Sequence, residues 1–194
     1  MYFLVIEGDN GTGKDSLAQK FQIDGFAIIT YDENIKKMEK IARTFNGKDK
    51  VLHFMAYNKE CGDLAKKEKK KNNVLLVRYF VSSLAAAYAD NVFSADKTMK
   101  LFDMTYNQFE KPDAIIRLKC DSDKRIKRIE ERNSKIFDDK TLIREEKYRW
   151  ITEKIKEKMD EKWIEINTSN MSIDEVYDCA KKELNNLYKN NIEK

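Results

Sequence analysis

The chain has 194 residues, of which 41% are hydrophobic, and its 38 lysine and arginine residues nearly balance 34 aspartate and glutamate residues to give a net charge of +4. A chain of this length forms one domain that buries about 70% of the surface of its unfolded state. So mild a positive charge suits a small anionic ligand, and we expect no nucleic acid as a partner.

Three cysteines lie far apart in the sequence, at positions 61, 120 and 179, and form no CxxC pair. An odd, scattered set of this kind is typical of reduced thiols in a cytosolic protein and does not indicate a zinc site. The first residues lead directly into an apolar strand without a basic leader, and no apolar run approaches the length of a membrane span. We therefore expect a cytoplasmic protein that has no membrane segment.

The stretch from Tyr2 to Phe21 reads as a strand, a glycine loop and a helix. Gly8, four further residues and then Gly13-Lys14 have the spacing of a P-loop. In such a loop the backbone N–H groups point at phosphate oxygens, the next helix presents its positive N-terminal end, and the lysine neutralises the outer phosphates. A plain strand–turn–helix corner is the alternative, but the apolar strand before the loop and the amphipathic helix after it favour phosphate binding. The predicted donor-phosphate residues are Gly8, Asn10, Gly11, Thr12, Gly13, Lys14, Asp15 and Ser16.

The last position of the P-loop motif is unusual, because Asp15 replaces the serine or threonine whose hydroxyl would hold Mg²⁺. Ser16 lies about 100° further round the helix and does not replace that hydroxyl. A carboxylate is a good ligand for Mg²⁺, but it repels phosphate when no metal lies between them. Two interpretations follow: a magnesium site in which Asp15 is the ligand, and a site that has lost its function.

Hydrophobic patterns after the P-loop helix predict strands and helices in alternation. The predicted strands are 26–30, 74–77, 114–118 and 162–166, and the predicted helices are 34–44, one from about 49, 82–89, 97–109, one from 121 or 122, a long one through Tyr148, and a last one capped by Ser172. Five strands alternating with helices indicate an α/β fold with one parallel sheet covered on both faces, in a single domain over residues 1–194.

Two groups of cations follow strands of this predicted sheet. Arg78-Tyr79 comes at the end of the third strand, where open α/β sheets place their ligands. In the helix after the fourth strand, Arg125, Arg128 and Arg132 fall on one face, either as a solvated surface or as phosphate contacts.

These segments together resemble the thymidylate kinase family, the P-loop kinases that phosphorylate a nucleoside monophosphate. The resemblance covers nearly the whole chain and depends on the order and spacing of several segments, which are IEGDNGTGK, LHFMAYN at 52–58, RYFVSSLAAAY at 78–88, the stretch 111–133 and EEKYRW at 145–150. It implies a P-loop kinase fold, a three-layer sandwich around a five-stranded parallel sheet, with a lid segment around residues 132–142. It also implies ATP and Mg²⁺ as cofactors.

The resemblance assigns roles to individual residues. Arg78 and Tyr79 match the pair that binds the acceptor phosphate, although Val77 replaces the aspartate that precedes them in the family. Phe54 matches the phenylalanine that stacks on the base, and it suits the core equally well. The expected catalytic residues are Lys14, Arg78, Arg132 and Lys135, with Arg128 at the donor nucleotide and with Phe54, Arg78, Tyr79 and Asn10 at the substrate.

Most departures from the family pattern lie on the acceptor side. The arginine motif after the second strand is reduced to Thr30-Tyr31-Asp32-Glu33, and the arginine that reads the base falls on Asn58. The Tyr-Gln pair that contacts the sugar falls on Ala86-Ala87, and the acidic P-loop residue falls on Asn10. These substitutions leave the choice of base and sugar open.

Three functions are compatible with this pattern. The first is an ATP-dependent kinase for a nucleoside monophosphate, dTMP or a related deoxynucleotide; the second is a kinase for a nucleoside, a modified nucleotide or another small acceptor; the third is a nucleotide-binding protein without turnover. Because a carboxylate is gained at Asp15 and lost at Val77, we hypothesise that Asp15 makes the Mg²⁺ contact. The resemblance also suggests a homodimer that forms through helices near the third strand.

Overall fold

The computed structural model describes residues 1–133 and 139–192, with the backbone alone at 132–133, 139 and 188–192. Apolar runs form its strands and amphipathic segments form its helices. The strands are β1 (Phe3–Gly8), β2 (Ala27–Ile28), β3 (Val74–Val77), β4 (Ala114–Lys119) and β5 (Lys162–Asn167). The helices are α1 (Lys14–Ile23), α2 (Glu33–Thr44), α3 (Gly47–Glu68), α4 (Phe80–Ala89), α5 (Ala95–Thr105), α6 (Ser122–Asn133), α7 (Asp139–Lys156) and α8 (Ile173–Ile192).

The strands form one parallel sheet in the order β2-β3-β1-β4-β5. β1 pairs with β3 on one side and with β4 on the other, so the strand order reverses at β1. In open α/β sheets, ligands bind beyond the carboxyl ends of the strands at such a reversal. The P-loop, residues 8–15, follows β1 at this point.

Helices cover both faces of the sheet because successive residues of a strand point to opposite sides. Phe3 and Val5 of β1 pack with side chains from α2, α3, α4, α5 and α7. Leu4 and Ile6 pack on the other face with α1 and α8. The predicted α/β fold, a three-layer sandwich around a five-stranded parallel sheet, is confirmed.

Several predicted boundaries were wrong by a few residues. β2 covers only Ala27–Ile28 and continues as a 3₁₀ turn at Ile29–Tyr31, because this edge strand pairs with β3 alone. Helix α5 begins at Ala95, two residues before the predicted start at position 97. The Ser94 hydroxyl accepts a hydrogen bond from the Lys97 amide and caps the helix there.

The cap predicted at Ser172 is confirmed, since the amide of Glu175 donates to its hydroxyl and its own amide donates to the Glu175 carboxylate. This reciprocal pair is a capping box and sets the start of α8. Within residues 1–133 and 139–192, none of the helices has the length and apolar character needed to cross a membrane.

Candidate active site

The P-loop is open at Gly13, where it leads into α1. Gly13 has a φ of +94°, and a Cβ at this position would meet no atom within 4 Å. Gly13 is also the N-cap of α1, and no side chain caps the amides that begin the helix. Uncapped amides at a helix N-terminus carry partial positive charge and bind anions. The open space at Gly13 and the uncapped start of α1 suit an anion such as phosphate.

Lys14 is buried at the start of α1, where its ammonium donates a hydrogen bond of 2.6 Å to the backbone carbonyl of Asp9. The Thr12 hydroxyl donates to the same carbonyl at 2.9 Å. Burial and, secondly, the charge of Arg78 lower the pKa of Lys14 to about 7. A lysine in this state gains its full charge when phosphate oxygens approach it.

Asp15 and Ser16 follow on the first turn of α1, and both are exposed. The Asp15 carboxylate lies near Lys14 and near Tyr31 of the 3₁₀ turn, and its charge affects the pKa of both groups. Among the described residues no three acidic, histidine or cysteine side chains come close enough to hold a metal without help. Mg²⁺ usually binds one or two carboxylates and takes its other ligands from phosphates and water. Asp15 fits that mode of binding.

Arg78 lies directly after β3 with a φ of +66°, a conformation that is unusual for a residue with a side chain. One terminal nitrogen of its guanidinium donates to the Tyr148 hydroxyl at 3.0 Å and to the Ser82 hydroxyl at 3.2 Å. The other terminal nitrogen donates to Asn10 Oδ1 at 2.8 Å. Contacts with three other segments fix the direction of this cation.

A buried carboxylate, Glu7, supports Arg78 from the end of β1. Glu7 accepts hydrogen bonds from the Tyr79 amide at 3.0 Å and from the Ser82 hydroxyl. Burial raises the pKa of Glu7, against the opposing effect of Arg78. Burial also opposes the charge of Arg78, but Tyr148 and Glu7 outweigh it and raise the pKa of the guanidinium. Arg78 therefore stays charged at the carboxyl edge of the sheet.

Sequence reasoning missed Glu7, Ser82 and Tyr148. In the sequence, Ser82 and Tyr148 stand out only as helix positions, Tyr148 on the apolar face of its helix. For Glu7 there was a local signal: it is a charged residue at the end of an apolar strand, and a buried charge is costly without a partner.

The three arginines predicted on one face of α6 have different environments. Arg125 is fully buried, donates to the Glu145 carboxylate of α7 at 2.7 Å and donates to the Asn10 carbonyl at 3.1 Å. Arg128 is half-buried and donates to the Thr168 carbonyl after β5 at 2.9 Å. Only the backbone of Arg132 is described, and Lys135, the predicted lid cation, lies outside the described residues.

A cavity of about 250 Å³ lies on one side of the P-loop. It is lined by Gly11 to Gly13, by Ser16 and Arg128, and by apolar side chains from the loop after β5 and from α8. A pocket with loop amides, a cation and apolar walls suits the base and phosphates of a nucleotide.

A larger cavity, of about 570 Å³, borders other residues of the P-loop, since Asp9, Asn10 and Arg78 are among the residues that line it. Phe54 of α3 is half-buried in its wall. Beside Phe54, the amide of the buried Asn58 donates to the Ser83 hydroxyl at 2.8 Å. An aromatic ring next to an amide–hydroxyl pair suits a flat, polar base.

Tyr79 is among the residues that line the larger cavity, although most of its ring lies in the core. Its ring is buried and packs against Phe80 and Phe109, with centroid distances of 4.9 and 5.7 Å. A Cβ at Gly62 of α3 would clash with its hydroxyl. The backbone amide of Tyr79, which binds Glu7, is thus the part that supports the site.

The sequence and the fold are both similar to known kinases. The model of a family described as thymidylate kinase matches residues 6–179. The chain is 29% identical over 185 residues to a probable thymidylate kinase from Methanocaldococcus jannaschii, covering 90% of this chain and 91% of the relative. It is also 29% identical over 188 residues to a probable thymidylate kinase from Methanococcus maripaludis, covering 91% of both.

Solved structures support the assignment of the fold. A thymidylate kinase from Candida albicans aligns with a TM-score of 0.67 at 17% identity, over 96% of this chain and 92% of that chain. A deoxyadenosine kinase from M. mycoides aligns with a TM-score of 0.67 at 14% identity, over 95% of this chain and 99% of that chain. At these identities the likeness concerns the fold.

Proposed function

The chain belongs to the thymidylate kinase family, and from that premise we propose that it transfers the γ-phosphoryl group of ATP, with Mg²⁺, to dTMP or a related deoxynucleoside monophosphate. The observation that carries this proposal is that two cavities share the P-loop and that two cations, Lys14 and Arg78, lie at this loop. Lys14 belongs to the P-loop that both cavities share, and Arg78 lines the larger cavity. One cation is thus available to each phosphate-bearing substrate.

The donor occupies the smaller cavity in this proposal. The amides of residues 11–14 and the Lys14 ammonium bind its phosphates, and Arg128 borders its base. Lys14 becomes fully charged as the phosphates arrive and stabilises the charge that spreads over the transferring group.

The acceptor occupies the larger cavity. Arg78 binds its phosphate, because the guanidinium is held in place by the hydroxyls of Ser82 and Tyr148 and keeps its charge. Phe54 stacks on the base. Phosphoryl transfer between two nucleotides depends mainly on alignment and charge neutralisation, and it needs no histidine base.

Asp15 is the residue that we propose holds Mg²⁺. When bound, the ion neutralises and orients the donor phosphates. The position of Asp15 on the exposed first turn of α1, close to Lys14, supports this role.

A second acceptor class is favoured by the wall of the larger cavity. Ala86 and Ala87 line it with small side chains, and the Asn58–Ser83 pair presents an amide in place of an arginine. A modified or larger nucleotide would fit this wall, so the acceptor is best identified by experiment.

The decisive experiment is product formation from ATP and Mg²⁺ with a panel of nucleoside monophosphates and nucleosides, followed by mass. We expect a nucleoside diphosphate from dTMP or a related deoxynucleotide. Lys14→Met should abolish the product. Lys20→Met, on the same helix as Lys14, removes a half-exposed ion pair with Asp174 of α8 and should retain it. ATP binding without any product from the whole panel would overturn the proposal.

We also propose a cytoplasmic homodimer that packs through helices near β3. Support comes from free thiols at all three cysteines, which suit a reducing compartment, and from exposed apolar side chains such as Leu52 on α3. Sedimentation at micromolar concentration tests the assembly, and a monomer would contradict it.

A further inference from the structure

The P-loop contains a carboxylate whose charge has a partner far away in the sequence. Asp9 follows Gly8, and its Oδ2 accepts a hydrogen bond of 2.6 Å from Arg149 Nε on α7. The Asp9 side chain is 17% exposed and that of Arg149 is 36% exposed. The pair is therefore partly shielded from water, and its mutual attraction is stronger than that of a fully solvated pair.

The position of Asp9 makes its charge important. The backbone carbonyl of Asp9 accepts hydrogen bonds from Lys14 and Thr12. Asp9 also lines the larger cavity, as does Arg78. An unneutralised carboxylate here would repel phosphate groups on either side of the loop and would weaken the effect of both cations. Among the described residues, Arg149 is the cation within ion-pair distance of the Asp9 carboxylate.

Arg149 is itself held in place by a second ion pair. Its Nη2 lies 3.7 Å from Glu145 Oε2, one turn earlier on α7. Glu145 also binds the buried Arg125, whose guanidinium donates to the Asn10 carbonyl at 3.1 Å. Two consecutive P-loop residues, Asp9 and Asn10, are thereby attached to the α6–α7 pair.

We propose that Arg149 is a positioning residue for phosphate binding, which acts by neutralising Asp9 and holding its side chain away from the phosphates. This inference rests on the proposed function only in that the P-loop must bind the phosphates of a nucleotide. It assigns to Arg149 an effect that is transmitted through Asp9, without direct contact with substrate.

A suppressor experiment tests this mechanism. The affinity for ADP is measured by calorimetry in EDTA, so that neither metal nor turnover contributes, for the parent protein, Arg149→Met, Asp9→Asn and the double variant. We expect Arg149→Met to bind ADP about tenfold more weakly, because it leaves Asp9 charged and unpaired. The double variant should return to within about twofold of the parent, because the repelling charge is gone.

Two further variants serve as controls. Arg149→Lys keeps the charge and should bind ADP nearly as well as the parent. Lys154→Met removes the exposed ion pair between Lys154 of α7 and Glu157, and it should bind ADP like the parent. Thermal unfolding of every variant identifies any that fail to fold, for which Arg149→Gln replaces Arg149→Met.

Other affinities of these variants overturn the inference. Full affinity in Arg149→Met would show that Asp9 needs no neutralisation. A double variant as weak as Arg149→Met would show that Arg149 contacts phosphate directly or acts only on the fold. A parent protein that binds ADP but phosphorylates no acceptor would refute the proposed function and leave this test intact, whereas a parent that binds no ADP would refute both.

Discussion

Lys14 is a side chain whose protonation depends on its ligand. In the free protein its pKa is lowered to about 7, first because burial disfavours the ammonium and secondly because Arg78 repels it. Donor phosphates stabilise the ammonium, so above pH 7 binding must take up a proton, whereas well below pH 7 the lysine is charged in both states. We expect the affinity for ADP to fall about tenfold between pH 7.5 and pH 8.5.

Calorimetric titration of ADP in EDTA, at both pH values and in two buffers of different ionisation enthalpy, measures the affinity and the uptake of about one proton. Lys14→Met should bind more weakly and should lose this pH dependence, whereas Lys20→Met on the same helix should keep it. An affinity that is level between the two pH values would contradict the lowered pKa of Lys14.

A carboxylate at position 15, in the first turn of α1, has two effects. A negative charge there stabilises the helix N-terminus by about 0.5 kcal/mol, and a carboxylate there also binds Mg²⁺ beside the donor phosphates. We expect Asp15→Asn to lower Mg²⁺-dependent turnover at least about a hundredfold, because the ligand is lost while the shape is kept.

The measurement is turnover as a function of Mg²⁺ concentration, with ADP affinity in EDTA as a second readout. Asp15→Thr places a hydroxyl at this position and should retain part of the activity. In EDTA, Asp15→Asn should bind ADP at least as well as the parent, since one negative charge near the phosphates is removed. Unchanged turnover in Asp15→Asn would contradict the proposal that Asp15 binds Mg²⁺.

At the scale of single elements, the strands and the P-loop were predictable because their signals are local. VLLV at β3 and AIIRL at β4 are continuous apolar runs, and the glycine spacing between β1 and α1 is typical of a phosphate-binding loop. The short length of β2 was not predictable, because it depends on pairing at the edge of the sheet. The separate environments of Arg125 and Arg128 were also missed, since one helical face meets both α7 and the loop after β5.

The contact between the P-loop and α6 leads to a prediction at the same scale. Gly11 has a φ of +82°, and a Cβ there would lie 2.8 Å from Ile129 Cγ1 and 3.0 Å from the Arg125 carbonyl. We expect Gly11→Ala to lower the free energy of unfolding by about 2–4 kcal/mol, because a backbone atom must move and the left-handed conformation is strained.

Gly25→Ala is the matched control, since Gly25 has a φ of +89° and a Cβ there would meet no atom within 4 Å. Gly25→Ala introduces the backbone strain without a clash, and we expect it to lower the free energy of unfolding by about 1 kcal/mol. Urea unfolding of both variants measures the difference. Equal losses would mean that the P-loop does not pack tightly on α6.

At the scale of the whole molecule, the site is assembled from residues that are distant in sequence. Arg78 donates hydrogen bonds to Asn10 and Tyr148. Asp9 binds Arg149, which lies 140 residues later in the sequence. No periodicity or motif reports such pairs, because they arise only when the parallel sheet brings the ends of β1 and β3 beside α4 and α7. The cations of the site were therefore predictable, whereas most of the groups that hold and neutralise them were not.

The two cavities share the P-loop as a common wall, since Asp9 and Asn10 line the larger one and Gly11 to Gly13 line the smaller one. One molecule that carries a nucleoside at each end of a phosphate chain should therefore occupy both. Adenosine and thymidine joined by five phosphates is such a ligand, and the link turns the second binding event into an intramolecular one.

We expect this linked ligand to raise the midpoint of thermal unfolding more than an equimolar mixture of ADP and dTMP does. At a concentration of about 100 times its Kd, a ligand stabilises the folded protein by about 2.7 kcal/mol. For a chain of this size this raises the unfolding midpoint by about 5–10 °C. Arg78→Met should reduce the shift for the linked ligand towards that for ADP alone, because the acceptor end loses its cation. A linked ligand that shifts the midpoint no more than the mixture would mean that the two cavities are not filled across the P-loop at the same time.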